Sequence, residues 1–94
     1  MAYVAQKVLE DLVTRINQVT GESTQAYLRD EWGELHAQEG HYQLLSVNGF
    51  YSLVRLRKGG GVLTIIDGRP KSQLLSLLKS LLLGIEIGKR VPNR

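Results

Sequence analysis

The side chains able to do chemistry in this chain are few, and most of them are cations. Among 94 residues there are two histidines, His36 and His41, and no cysteine. Thiolate nucleophiles, disulfides and cysteine metal ligands are thereby excluded. No Ser-His-Asp set occurs at a recognisable spacing, and there is no HExxH-type metal pair. Asp30, Glu31 and Glu34 cluster at i, i+1 and i+4 with no histidine inside the cluster. That pattern suits a solvated turn better than an acid–base site. Without a nucleophile, a base and a group to orient it, the chain reads as non-catalytic, with no cofactor and no metal site.

What remains is anion binding. Residues 55–72, RLRKGGGVLTIIDGRPKS, hold the densest basic stretch. Lys58-Gly59-Gly60-Gly61 lacks the GxxxxGK[ST] order of a phosphate loop and no helix follows it directly, so the glycines read as a hairpin tip. Asp67-Gly68-Arg69-Pro70-Lys71 places two cations at a helix start, where they oppose the macrodipole. A bound anion would relieve this through the free first-turn N–H groups, and so would a local Asp67–Arg69 pair. The candidate ligand residues form two clusters. His41, Tyr42, Arg55, Arg57, Lys58 and Gly60 lie at the glycine tip. Tyr51, Arg69 and Lys71 lie at the helix start. A strand of five or six residues, about 17–20 Å long, separates them, so one chain cannot close both around one phosphate.

The elements that must position these groups follow from periodicity. Val4, Val8, Leu9, Leu12, Val13, Ile16 and Val19 form one stripe of a helix over residues 3–19, with Gly21 as its stop. Residues 20–40 read as an irregular or extended insert with a turn at Glu31-Trp32-Gly33. Residues 41–66 read as a three-stranded antiparallel meander. Asn48-Gly49 supplies a two-residue turn that sets Val47 opposite Phe50 and Tyr42 opposite Arg55. The glycine loop is expected to set Arg57 opposite Val62. Alternation then gives one nearly all-apolar face, Leu45, Val47, Phe50, Val54, Leu56, Leu63 and Ile65, expected to lie against the helices. The opposite face mixes Tyr42, Leu44, Tyr51, Leu53, Arg55 and Ile66 with polar groups. Pro70 opens a second helix rich in leucine, Gly88 is its expected end, and residues 89–94 read as a flexible tail.

The whole is expected to be one small α+β domain over residues 1–94, of order α-β-β-β-α, with both helices on one sheet face. Its leucine stripe is wider than one sheet face needs. Leu77, Leu81, Leu82 and Ile85 are therefore expected to form a homo-oligomer interface that brings basic clusters of different chains together.

Charge is uneven. The net charge is +3, yet residues 21–40 carry five acids against Arg29 and residues 55–94 carry nine bases against Asp67 and Glu86. A basic half points to an anionic partner, or to an acidic segment folded back upon it. The N-terminus lacks a signal-peptide pattern, and the apolar run from Leu74 to Ile87 is too short and too polar to span a bilayer.

GHY at 40–42, NGFYSLVRL at 48–56, GGGV at 59–62 and GRPKSQLLSLLKSLLLGI at 68–85 resemble a group of small proteins of tailed bacteriophages and prophages. Residues 16–38 resemble the same group, with Thr20-Gly21 and Arg29-Asp30 in matching places. Gln73 stands where that group has an acidic residue, which leaves this helix start more basic. The resemblance implies a phage origin and a cytoplasmic location in an infected bacterial host. It implies no activity. Three readings follow: sequestration of a nucleotide or cyclic nucleotide at an inter-subunit pocket, inhibition of a host protein, and, less favoured, sequence-independent nucleic-acid binding.

Overall fold

Helix α1, Gln6–Thr20, buries Leu9, Val13 and Ile16 along the expected stripe. It stops where the sequence says it should. Gly21 takes φ 77°, and its N–H and that of Glu22 bond back to the carbonyls of Gln18 and Asn17. This closure satisfies carbonyls that the last turn would leave unpaired. The computed structural model describes residues 5–90. The expected helical positions Tyr3 and Val4, and the tail from Val91, lie outside the described residues.

The insert after α1 is more regular than its composition suggests. β1, Tyr27–Arg29, and β2, Leu35–Ala37, pair as an antiparallel hairpin around the expected turn. One Asp30 carboxylate oxygen accepts the N–H groups of Trp32 and Glu34 at 2.9 Å each, and Gly33 takes φ 84°. A short acidic side chain that bonds its own backbone two residues on is what such a turn selects.

β3, Tyr42–Val47, β4, Phe50–Leu56, and β5, Val62–Arg69, form the three-stranded meander. Val47 faces Phe50 and Tyr42 faces Arg55 as the Asn-Gly turn requires, and both turn residues have positive φ, 51° and 80°. The glycine loop differs from expectation by one residue: Leu56, not Arg57, pairs with Val62, because Arg57 closes the loop against Gly61 and Gly60. β5 then shifts register twice, between the partners of Tyr51 and Leu53 and between those of Leu53 and Val54. Such bulges change which side chains of a strand share a face.

α2, Lys71–Arg90, starts after Pro70 as expected but runs through Gly88 rather than ending there. A helical glycine costs only about 1 kcal/mol relative to alanine, and Lys89 beyond it suits the negative end of the helix.

Both helices cover one sheet face, and it is the mixed face rather than the nearly all-apolar one expected from alternation. The core joins Leu9, Val13 and Ile16 of α1 to Tyr51 and Leu53 of β4 and Leu74 and Leu78 of α2, with Tyr42, Leu44 and Ile66 packed beside them. The polar members of this face end at its margins, where α1 and the loop after it supply partners. Tyr51 Oη reaches Gln6, and Arg55 reaches Gly40 and Glu22. Of the expected inner residues, Val54 and Leu56 are buried, while Leu45, Val47, Phe50, Leu63 and Ile65 are exposed. Counting apolar residues cannot choose between two faces when the polar groups of one find partners in the folded chain.

Candidate functional site

Glycine-tip cluster. Tyr42 and Arg55 are cross-strand partners, and the guanidinium lies 5.0 Å from the ring centroid. Arg55 is held in place: Nε donates to the Gly40 carbonyl at 3.1 Å and Nη2 to Glu22 Oε1 at 3.0 Å. Gly40 takes φ 93°, and a Cβ there would run into the Glu22 carboxylate. A cleft of about 600 Å³ opens beside this pair, lined by Arg55, Arg57 and Lys58 together with Glu22, Glu39 and Leu63. Its volume falls within the range of small-molecule sites. Among the described residues, no ion pair engages Arg57 or Lys58.

The two carboxylates, Glu22 and Glu39, belong to no motif in the sequence. Glu22 reaches Arg55 across 33 residues, and its only sequence signal is its place directly after the helix-ending Gly21. His41 does not line this cleft. It is buried, and its Nδ1 bonds the Ser23 carbonyl at 2.6 Å, which anchors the loop after α1. Gly60 serves the turn with φ 100° and its N–H on the Arg57 carbonyl.

Helix-start cluster. Tyr51 and Arg69 are cross-strand partners, and Lys71 Nζ lies 5.6 Å from the Tyr51 ring centroid. Tyr51 is buried in the core, and Lys71 lies over its ring. Arg69 lines a second cleft of about 550 Å³ with Ser72, Gln73, Ser76 and Leu77. Asp67 does not pair with Arg69; its carboxylate accepts the Gly68 N–H at 2.9 Å. The register keeps the clusters apart, Leu56–Val62 at one end of the strand pair and Tyr51–Arg69 at the other.

The leucines proposed for an interface are partly absorbed. Leu81, Leu82 and Ile85 pack on the core, while Leu77 is exposed.

The acidic hairpin differs from its sequence reading in one respect. His36, six residues from Asp30, folds back so that Nε2 lies 2.7 Å from Asp30 Oδ2. That hydrogen bond first, and then the Glu34 and Trp32 N–H groups, hold the Asp30 carboxyl below the ordinary carboxylate range. Asp30, Glu34 and His36 each bring one ligand atom within 4.8 Å of the others, a spacing a divalent cation accepts. The same contacts also build the turn.

No helix among the described residues is long and apolar enough to cross a membrane. Compared with protein-family models, curated proteins and solved structures, the chain matches none.

Proposed function

We propose that this chain is a non-catalytic accessory protein of tailed-phage type that binds a nucleotide or cyclic nucleotide in the cleft at the glycine tip, so sequestering it. The observation that carries this reading is the mixed charge of that cleft, Arg57 and Lys58 with Glu22 and Glu39 beside the Tyr42–Arg55 pair. Inorganic phosphate meets two carboxylates there and is poorly served. A nucleotide satisfies both signs. Its phosphate accepts from Arg57 and Lys58, and a base with an exocyclic amine donates to a carboxylate. The Arg55 guanidinium and Leu63 offer flat and apolar surface to the base.

Calorimetry with a panel of mono-, di- and cyclic nucleotides, with inorganic phosphate as the reference, tests the reading. Nucleotides bind, phosphate does not, and Arg57→Ala or Lys58→Ala each weakens binding about 10- to 100-fold, the loss expected for one charge-assisted hydrogen bond. No heat with any nucleotide, or binding indifferent to both substitutions, refutes it.

A second reading, inhibition of a host protein, is favoured by a different feature. Trp32 is 80% exposed at the tip of the β1–β2 hairpin, between Asp30, Glu31 and Glu34. A solvent-facing tryptophan ringed by acids suits a basic protein partner. Pull-down from host lysate separates the readings: a stoichiometric protein lost on Trp32→Ala, with no nucleotide affinity, selects the second.

A further inference from the structure

The sheet has a layer missing. The helices cover one face, and the Cα extents of 49 × 44 × 19 Å describe a plate two layers thick. An antiparallel sheet that turns one face to water normally alternates apolar and polar residues, with the polar ones outside. Here the outward side chains of β3 and β4 carry no formal charge, and on β5 the exposed Asp67, next to the inward Ile66, is the one acid on this side. Leu45, Val47, Phe50, Val62 and Ile65 are all exposed there, Val47 by 66%. We propose that this face is the interface of a homodimer, in which two sheets pack face to face to give an α/β/β/α sandwich.

Three observations select a second copy as the occupant. The first is charge. The chain carries +3, so most ways of apposing two copies set like charges together, whereas this face brings no charge but that of Asp67. Its strands place no cation on this side, so nothing there grips an anionic surface such as nucleic acid.

The second is relief. Val54, on the central strand, is 1% exposed, while the residues of the flanking strands stand proud. From Ser52 to Leu56 the face is therefore a trough between two mainly apolar rows, closed at one end by Phe50, which is 52% exposed. Under a two-fold axis through Ser52 and Val54, a row of each copy rests in the trough of the other, at the roughly 10 Å spacing and about 30° angle of aligned sheets.

The third is area. Three strands of six to eight residues give a footprint of about 330 Å². With side-chain relief this amounts to on the order of 500–600 Å² of accessible surface per copy. Two copies bury about 1,000–1,200 Å², the lower limit of a specific interface. Pairing through the β3 edge is a weaker route, because Asn17 already occupies both outward backbone groups of Tyr42.

Sedimentation equilibrium of the full chain without nucleotide, over about 1 to 100 µM, is the first test. A dimer is expected, and Val47→Lys or Ile65→Lys raises its dissociation constant at least about 100-fold while the circular dichroism stays that of wild type. Because the chain has no cysteine, Ser52→Cys provides a second measurement that does not depend on destabilising the contact. It cross-links between copies through a short bifunctional maleimide, and Lys7→Cys on the exposed side of α1 does not. A monomer at the highest concentration, whatever else binds the face, overturns the proposal. So does a dimer that survives both lysines, or equal cross-linking at both cysteines. A dimer that binds no nucleotide supports this inference and refutes the ligand reading; a monomer that binds one does the reverse.

Discussion

Removing the Asn17 side chain is the sharpest test of how the helices are fixed to the sheet. Asn17 is 1% exposed on α1. Its carboxamide donates to the Tyr42 carbonyl at 2.9 Å and accepts the Tyr42 N–H at 2.8 Å, as a neighbouring strand would. Asn17→Ala strands both backbone groups. Each lost bond is worth about 1 kcal/mol net, and an unpaired buried group adds up to about 1–3 kcal/mol. A cleft of about 240 Å³ between α1 and β3 lets water reach the edge and keeps the total near the lower end. The expected loss is about 2–3 kcal/mol, or roughly 10–20 °C in Tm for a domain of this size. Urea unfolding followed by circular dichroism measures the first, and hydrogen exchange at the Tyr42 amide localises it. Asn17→Asp adds a pH test. The new carboxylate accepts the Tyr42 N–H but opposes the Tyr42 carbonyl, so its folded pKa is raised above the unfolded value. Its stabilising contribution is therefore full below about pH 4 and is lost as pH rises through the folded pKa. Relative to wild type at the same pH, this variant should be more stable at pH 4 than at pH 7. A loss under about 0.5 kcal/mol for Asn17→Ala, or no pH dependence for Asn17→Asp, refutes the reasoning.

Other consequences follow from single contacts. Asp30 has a lowered pKa in the folded hairpin, so its contribution is present above the ordinary value near 4 and fades as pH falls through the folded one. NMR titration should show the Trp32 and Glu34 amides shifting together below that value; titration of Asp30 at or above it contradicts the hairpin geometry. Gly49→Ala forces a side chain onto φ 80° and should lower stability by about 1–2 kcal/mol in urea unfolding, with Gly61→Ala, whose φ is not positive and whose Cβ meets nothing within 4 Å, as the near-neutral control. Glu22→Gln leaves Arg55 its bond to Gly40 but removes a partly exposed ion pair and one of the cleft's two carboxylate acceptors, so stability should change by less than about 1 kcal/mol while nucleotide affinity falls. An unchanged or higher affinity would show that the Glu22 carboxylate takes no part in binding.

Local chemistry made much of this fold legible in the sequence. Asn48-Gly49 dictates a tight turn with positive φ at both positions, and alternation from that turn is enough to place Tyr42 against Arg55. Gly21 and Pro70 mark helix boundaries because each answers to a backbone constraint within a few residues. Relations between distant segments were not legible. Glu22 in the cleft, Ser23 on His41 and Asn17 on Tyr42 each depend on where the chain returns after many residues. The bulges of β5 follow from fitting a strand to its neighbour, and no residue type announces them. The largest difference concerns the sheet faces. Periodicity sorts their side chains correctly over β3 and β4, but hydrophobicity is non-directional and is satisfied by covering either face. Only the folded chain, in which α1 supplies Asn17 and Gln6 and the following loop supplies Glu22, decides that the mixed face turns inward and the apolar one is left open.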